Sequence, residues 1–562
     1  MNPFLCANQG QGDAQTACSE KGTKFCSGCN LIVYCSKECQ ISHWTIHKLG
    51  CKSPLRKPSW KPAWELEQRR PAFIDSSNDN GPTPVTSHGG KRYLWGNMPA
   101  IDLLQLADNE GSNTTQDLHL LLAASGDPRN FIKTITCLPD EYQGHIHVDI
   151  NDRDETVVAR NLLIILIALN FPVETASDMI LHVWYSAFLT ESITQSIKDT
   201  ILPIIQNVLA KGTLGATWTY HSTKLSAELD RKTWDLLLAY CQGNHTISFE
   251  DATRLRKSVT LGPSRQDYRD RAMFALPPSW RVAKAKFRAD GILLPFGASS
   301  GDFKVPNPIF FHDRTLWPMP DSADPLHGWK LDEVLQEPHL AKADLYGLLY
   351  LHVRKYLVKF CERVCNLKLN VSFFCMDALD LPNRIEELDE ERLYDRIELA
   401  NIADRAYLGP IHTIGLYGPL LKHPAQNPEA TLITLFLNAS HEESNLKEQQ
   451  ENMAKSFETL QQFLPLNPAV ASSRNRYSAE VLNFGNAHDL LLNNDPAFKR
   501  YMEAFKFEEL GKAFGVEMKS RHTIIGKWPM KLPRRSTKRQ FEMMYWSGHQ
   551  GSERYVEWRK TR

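Results

Sequence analysis

The first 51 residues of the chain hold a high concentration of side chains that bind metal ions. Seven of its 12 cysteines lie there with a histidine, in the order Cys6, Cys18, Cys26, Cys29, Cys35, Cys39, His47 and Cys51. Thiolates and imidazoles are zinc ligands, and eight of them complete two tetrahedral sites. The C-x₂-C spacing is that of a tight turn, and the two i, i+4 pairs place both ligands on one helical face. The sequence therefore predicts two structural zinc ions, each enclosed by four protein ligands.

The same cysteines help to predict the cellular compartment of the protein. In a reducing compartment such clustering indicates metal binding and not disulfides. The N-terminal segment MNPFLCANQGQGD lacks the basic and apolar regions of a secretory signal, so we expect a cytoplasmic or nuclear protein. No run of 18 apolar residues occurs, so no membrane span is expected. The chain has 65 basic and 65 acidic side chains, a balance that argues against nucleic-acid binding by the whole protein.

The run YCSKECQISHWTIHKLGC, which ends at Cys51, resembles the second half of a MYND-type zinc finger. This resemblance implies two interleaved sites, one with Cys6, Cys18, Cys35 and Cys39, the other with Cys26, Cys29, His47 and Cys51. It also favours His47 as the ligand over His43, which precedes it by four residues. The chain departs from the family in one respect. Eleven residues separate Cys6 from Cys18 where the family has two, and they are interpreted as an inserted loop.

The resemblance also implies a protein partner. MYND fingers bind short, often proline-containing peptides of other proteins. Trp44 and Tyr34 are the aromatic candidates for a peptide groove. In the alternative interpretation, both side chains form the small core of the finger.

A chain of 562 residues is too long for one hydrophobic core, so several domains are expected. Changes in composition along the chain indicate where they begin and end. Residues 1–52 are predicted to be the finger, separable from the rest through a Pro/Ser/Gly-rich linker over 53–91. Residues 92–171 and 366–562 are predicted to be two parts of one core, and 172–365 a mainly helical insertion between them.

Apolar runs bounded by turn residues predict five strands of one mainly parallel sheet: Leu118–Ala124, His145–Ile150, Val371–Met376, Arg396–Ala400 and Leu432–Leu437. The first two, with a glycine turn and a helix between them, form the βαβ unit of a doubly wound α/β sheet. With DALDLP and DRIELANI at strand ends, the five strands resemble a class I S-adenosylmethionine-dependent methyltransferase domain. The resemblance implies a Rossmann-like core.

Other segments of the core resemble a narrower family. WGNMPAIDLL, LLLAASGDPRNFIKTI, HVDINDRD and VVARN are similar to a domain of uncharacterised function. It occurs in fungal MYND-finger proteins and in an axonemal dynein assembly factor family. This resemblance covers most of the chain after Tyr93, and it brings no mechanism with it.

The methyltransferase resemblance implies a cofactor site at the strand ends. Gly126 would let the backbone approach S-adenosylmethionine, Asp152 could accept from the ribose hydroxyls, and Asp377 could lie near the adenine. Against this, Gly126 is the only glycine in its turn, and Asp127 and Pro128 suit the start of a helix. In the competing interpretation Asp127 is a helix cap and the other acids are exposed strand-end residues.

These observations favour a zinc-binding interaction or adaptor protein whose methyltransferase-like core has no catalytic residues. The alternative is a methyltransferase that is targeted by its finger. Residues 519–562 add a basic C-terminal region, with 12 Lys and Arg against three Asp and Glu. Its segment KLPRRSTKR is interpreted as a nuclear import signal or a patch for an acidic partner, or else as an ordinary basic surface.

Overall fold

The computed structural model describes residues 5–9, 17–74, 88–243, 247–467, 477–533 and 535–561. Its β-strands are β1 Lys24–Phe25, β2 Val33–Tyr34, β3 Leu118–Leu122, β4 Ile146–Asn151, β5 Phe188–Thr190, β6 Gly215–Tyr220, β7 Thr223–Glu228, β8 Phe303–Pro306, β9 Leu369–Phe374, β10 Arg396–Glu398, β11 Thr431–Phe436, β12 Val516–Met518 and β13 Arg554–Lys560.

The α-helices of the described residues are Lys37–Ser42, Trp44–Cys51, Ala63–Leu66, Arg129–Cys137, Glu155–Asn170, Val173–Tyr185, Glu191–Thr200, Leu202–Ala210, Arg231–Gln242, Phe249–Thr260, Gln266–Phe274, Pro278–Asp290, Pro308–Phe311, Leu331–Leu335, Leu345–Asn366, Leu381–Leu388, Gly409–Tyr417, Ala439–Glu442, Leu446–Phe463, Ala479–Ala487, Asp495–Ala504, Phe507–Ala513 and Lys538–Ser547.

Nine of the strands form one sheet in the order β12-β13-β11-β10-β3-β4-β9-β7-β6. The six strands from β11 to β7 run parallel to one another, whereas β13 pairs antiparallel with β11 and with β12. The five predicted strands correspond to β3, β4, β9, β10 and β11, each within two residues of its predicted bounds. The prediction that they share one mainly parallel sheet is confirmed.

Both faces of β3 and β11 are covered, which explains why these two strands are mostly apolar and buried along nearly their whole length. Side chains alternate along a strand, so Leu120 and Leu121 of β3 lie on opposite faces, each in a separate buried cluster. The Glu155–Asn170 helix after β4 is buried along nearly its whole length. It packs against the sheet on one side and against helices of the insertion on the other. A helix at the surface of a small two-layer domain would instead keep one face in water.

The predicted insertion, which is mainly helical, also contains strands. β6 and β7 form a hairpin, and β7 pairs in parallel with β9, so residues 172–365 extend the main sheet. Alternate side chains of β7 are buried, as expected for a strand with one covered face. A second short ladder inside the insertion joins β5 to β8.

The finger, which is predicted to be a separable domain, contacts the insertion directly. The Ser279 hydroxyl donates to the carbonyl of Cys29 at 2.9 Å, and the backbone N–H of Ala343 donates to the carbonyl of Asn30 at 2.9 Å. Leu31 and Ile32 are buried in the same cluster as the sheet. These aliphatic side chains bind no metal and gain by leaving water, so they attach the finger to the insertion.

The described part of the predicted linker also contacts the rest of the chain. The Ala63–Leu66 helix buries Trp64, which is 1% exposed, and the Trp64 indole N–H donates to the carbonyl of Tyr477 at 3.0 Å. Residues 75–87 of the predicted linker lie outside the described residues.

Candidate zinc centre and strand-end site

Short elements of the finger bring its cysteines together. β1 and β2 pair antiparallel, and two short helices follow them. The Ser36 side chain accepts a hydrogen bond from the backbone N–H of Cys39 at 3.3 Å and caps the first helix. This cap starts the helix directly after Cys35, so that Cys35 and Cys39 present their thiols on the same side.

The first cluster consists of four thiols whose sulfur atoms all lie within 4.8 Å of one another: Cys6, Cys18, Cys35 and Cys39. The Sγ atoms of Cys18 and Cys35 are 3.6 Å apart, and those of Cys35 and Cys39 are 3.4 Å apart. Such distances suit thiolates around one tetrahedral zinc ion at metal–sulfur distances of about 2.3 Å.

Two backbone hydrogen bonds explain how Cys6 and Cys18 meet despite their separation in sequence. The N–H of Cys6 donates to the carbonyl of Glu20 at 2.8 Å, and the N–H of Cys18 donates to the carbonyl of Asn8 at 2.7 Å. These reciprocal bonds hold the two ends of the predicted inserted loop side by side. Residues 10–16 of that loop lie outside the described residues.

The second cluster joins the C-x₂-C turn to the second helix of the finger through Cys26, Cys29, His47 and Cys51. Nε2 of His47 lies 3.3 Å from Sγ of Cys29, and the Sγ atoms of Cys26 and Cys51 are 4.0 Å apart. Gly28 in the turn leaves this space open, because a Cβ there would lie 3.4 Å from Sγ of Cys51. All four ligands are buried.

Burial sets the protonation of these ligands when no metal is bound. It raises the pKa of the Cys6 thiol to about 12 and that of the Cys29 thiol still further, and it lowers the pKa of His47 to about 4. The imidazole is therefore neutral and ready to bind, whereas the thiols must lose protons when the ion enters. Four sulfurs in one cluster, and three sulfurs with an imidazole nitrogen in the other, suit zinc and not magnesium or calcium.

His43 and Tyr34 do not bind the metal. Nδ1 of His43 is hydrogen-bonded to the Tyr34 hydroxyl at 2.9 Å, and the His43 ring stacks beside that of His47. Tyr34 is 1% exposed, so it belongs to the core of the finger and the prediction that it lines a peptide groove is wrong. Trp44 is half-buried, with its ring edge-on to His47.

An exposed apolar face of the finger was not found from the sequence. Leu49 is 74% exposed and Ile41 is 64% exposed, and Ile46 is also exposed. Ile46 and Leu49 are three residues apart in the Trp44–Cys51 helix and therefore share one face of it. The three-residue spacing of these apolar side chains could have indicated the face from the sequence. The same spacing also occurs in helices whose apolar side chains are buried.

At the ends of the sheet strands, Gly126 and Asp152 contact each other. The backbone N–H of Gly126 donates to the Asp152 carboxylate at 2.9 Å, and the Asn161 amide donates to the Gly126 carbonyl at 2.8 Å. Gly126 has φ +54°, and no atom lies within 4 Å of where its Cβ would be. Burial raises the pKa of Asp152, while the N–H groups of Asp154 and Gly126 oppose the change. The polar groups of this turn are therefore already hydrogen-bonded to neighbouring residues of the protein.

Asp377 follows the neighbouring strand end and is exposed. Its carboxylate accepts from the backbone N–H of Leu379 at 2.9 Å and closes a local turn. The buried Asn151 side chain donates to the carbonyls of Ala123 and Met376, and it accepts from the Met376 N–H at 3.1 Å. This one amide ties three adjacent strand ends together.

Asp127 is buried but is not a helix cap, which corrects the competing interpretation. Its carboxylate accepts from the backbone N–H of Gly96 at 2.6 Å and pairs with Arg129. The helix begins at Arg129 after Pro128 and has no side-chain cap. Asp127 therefore anchors the segment before β3 to the first turn of the core.

Among the described residues, no helix is both long and apolar enough to span a membrane. Two family models match parts of the chain. The family model of the MYND finger matches residues 6–51, and that of a domain of unknown function, DUF4470, matches residues 94–189.

Among the curated proteins that match, Dynein axonemal assembly factor 3 from Danio rerio is 33% identical over 132 residues. The match covers 24% of this chain and 27% of that relative, so about a quarter of each is compared. No solved structure matches the chain. The protein therefore carries a MYND finger with a Cys₄ and a Cys₃His zinc-binding cluster, followed by a DUF4470 region within a large, mostly parallel sheet.

Proposed function

We propose that the protein is a zinc-dependent adaptor whose finger binds a short segment of a partner protein. The exposed apolar face around Ile46 and Leu49 carries this proposal, because such side chains on a small, metal-stabilised module gain when a partner covers them. The two zinc clusters, each with four protein ligands, hold the face in one shape without taking part in chemistry. The MYND match supports the same role, since these fingers bind peptides.

The charge around the face suggests the composition of the bound segment. Residues 17–57 contain seven Lys and Arg and two Glu, and the side chains of Lys37, Lys48 and Lys52 are exposed. A segment with apolar or proline residues flanked by acids would complement both features. We therefore propose a proline-containing, acidic peptide as the partner segment.

The matched relative suggests the setting in which such an adaptor works. That protein is named as an assembly factor, and about a quarter of each chain aligns. We propose that the core of this chain likewise holds a second component while the finger recruits the first. The expected compartment is the cytoplasm or the nucleus.

A test of the adaptor role uses the full, zinc-loaded chain. Peptides selected on it from a random library should share apolar or proline residues with acidic flanks. Leu49→Asp should weaken their binding at least about tenfold, because it places a charge on the apolar face. The matched control is Leu446→Asp, since Leu446 is 70% exposed on a different helix. Equal affinity of selected peptides for wild type and Leu49→Asp, with two zinc ions in each, would refute the proposed face.

A second candidate function is S-adenosylmethionine-dependent methyl transfer. The order β9-β4-β3-β10-β11 supports it, because it corresponds to the order 3-2-1-4-5 of doubly wound nucleotide-binding sheets. The hydrogen bonds that occupy Gly126 and Asp152 disfavour it. Calorimetric titration of the full chain with S-adenosylmethionine decides between them. Binding at about 10 μM or tighter that is lost in Asp152→Ala would make the methyltransferase the better proposal.

A further inference from the structure

A basic cavity of about 300 Å³ lies between the insertion and the C-terminal part of the chain. The Gln266–Phe274 and Pro278–Asp290 helices form its wall on the insertion side. The Ala479–Ala487 and Lys538–Ser547 helices, with the residues that follow them, form the opposite wall. Ligand sites occur preferentially where such separate parts of a protein meet.

Cations predominate among the described residues that line this cavity. The basic lining residues are Arg265, Arg269, Arg271, Lys284 and Arg288, and the acidic lining residues are Asp321 and Asp489. Two of these cations are neutralised by carboxylates. Arg265 pairs with Asp321 at 2.9 Å, and Lys284 pairs with Asp324, which lies behind the wall, at 2.9 Å.

The other three arginines donate to neutral oxygens and, within the described parts of the chain, form no ion pair. Arg269 donates to the carbonyl of Gly262 at 2.6 Å, and Arg271 donates to the side-chain oxygen of Asn486. Arg288 donates to the carbonyls of Thr260 and Asp321 at 3.0 and 2.7 Å. In the described part of the chain, no carboxylate is in direct contact with these three groups, although Asp489, which also lines the cavity, attracts Arg271 from farther away.

Burial separates part of these guanidinium groups from both water and protein acceptors. Nη1 of Arg271 and Nε of Arg288 are buried and have no hydrogen-bond partner among the described residues. Burial lowers the pKa of Arg269, Arg271 and Arg288 and outweighs the opposing attraction of nearby acids, such as Asp489 for Arg271. A buried charge without a partner costs several kcal/mol, so the site should favour an anion that supplies one.

We propose that this cavity binds a small phosphate-bearing molecule through Arg269, Arg271 and Arg288. A guanidinium fork donates two parallel hydrogen bonds to a phosphate, and three of them can surround one group or a pair of linked groups. The amides of Asn483 and Gln550 line the same cavity and can hold the rest of the molecule. A volume of about 300 Å³ suits a compound of the size of a sugar phosphate.

Such a ligand would also join distant parts of the chain. Arg269, Arg271 and Arg288 belong to the insertion, whereas Asn483 and Gln550 belong to the C-terminal part. Because an anion bound between them links the two walls, occupancy should stabilise the folded chain. This inference does not depend on what the finger binds.

The test measures thermal unfolding and calorimetric binding of the full chain with inorganic phosphate, pyrophosphate and ribose 5-phosphate, against sodium chloride of equal ionic strength. At about 10 mM, at least one phosphate compound should raise the Tm by about 2–4 °C more than the salt does. Arg271→Gln should abolish most of that increase. Its Tm without ligand should be unchanged or higher, because the substitution removes an unpaired buried charge.

The matched control is Arg254→Gln, since the Arg254 side chain is 77% exposed on the insertion and does not line the cavity. It should respond to phosphate compounds as wild type does. If Arg271→Gln does not fold, Arg269→Gln serves in its place. A Tm that no phosphate compound raises above the salt control, or an equal rise in wild type and the arginine variants, would overturn the proposal.

Discussion

His47 and His43 lie one helical turn apart, and the structure gives them opposite roles. Nε2 of His47 points at Sγ of Cys29, whereas Nδ1 of His43 is bonded to the Tyr34 hydroxyl. We expect wild type and His43→Ala to carry two zinc ions per chain and His47→Ala to carry one, because three ligands hold zinc far more weakly than four. Metal analysis of the three purified proteins measures this. Two ions in His47→Ala, or one in His43→Ala, would show that the assignment is reversed.

The buried carboxyl group of Glu398 should make the free energy of unfolding depend on pH. Burial raises its pKa in the folded chain from 4.5 to about 7, against the opposing effects of Arg129 and the Ala400 N–H. Below pH 4.5 both states are protonated and the residue contributes nothing. Between pH 4.5 and 7 only the unfolded state loses the proton, so stability falls by up to about 3 kcal/mol and then stays level.

Glu398→Gln removes this penalty while keeping an oxygen that can accept from the Ala400 N–H. The variant should match wild type near pH 4 and exceed its free energy of unfolding by up to about 3 kcal/mol near pH 8. Urea unfolding at several pH values gives the difference directly. A difference that does not change with pH would mean that Glu398 is already ionised in the folded chain.

At the scale of elements, the finger packs closely against the insertion. Gly297 faces the finger, and a Cβ there would lie 2.6 Å from Ile32 and 2.7 Å from Ala7. Gly297→Val should therefore push the finger away and cost about 1–3 kcal/mol in the free energy of unfolding, while both zinc ions remain. Hydrogen exchange at residues 31–33 should become faster.

Gly301→Val is the matched control, because its Cβ would meet only the Ser299 hydroxyl at 3.6 Å. It should leave stability and exchange as in wild type. Equal effects of the two substitutions would indicate that the finger does not rest on Gly297 in solution.

The elements also show what could be predicted from the sequence. The five parallel strands were recognisable as short segments rich in apolar residues, such as Leu118 to Leu122, that are bounded by turn residues. The β6–β7 hairpin was missed, since Gly215–Tyr220 lies at the edge of the sheet and is only half-buried. The zinc ligands could be proposed from their residue types and local spacing, and the resemblance to a MYND finger favoured His47 over His43. The basic cavity was not, because Arg271 and Asn483 lie more than 200 residues apart and meet only through the tertiary fold.

At the scale of the whole molecule, the zinc clusters and the sheet share one buried core. Cys6, Cys29 and Leu31 lie in the same hydrophobic cluster as Leu120 of the sheet and Leu348 of the insertion. A finger that folded independently on a linker would lose its zinc without affecting the rest of the chain. A finger that covers apolar surface of the insertion should instead destabilise that surface when it unfolds.

We therefore expect zinc removal by a strong chelator to lower the Tm of the main thermal transition by several degrees. Zinc-dependent folding free energy is large, on the order of 10 kcal/mol per site, so the metal-free finger should be unfolded. The insertion would then expose the surface that Leu31 and Ile32 cover, and its stability should fall by the lost burial. Calorimetry of the full chain before chelation, after it and after addition of zinc measures the change. Cys361→Ser, at a buried cysteine of the insertion outside both clusters, should keep the same zinc dependence as wild type. A main transition at the same temperature with and without zinc would mean that the finger contributes nothing to the stability of the core.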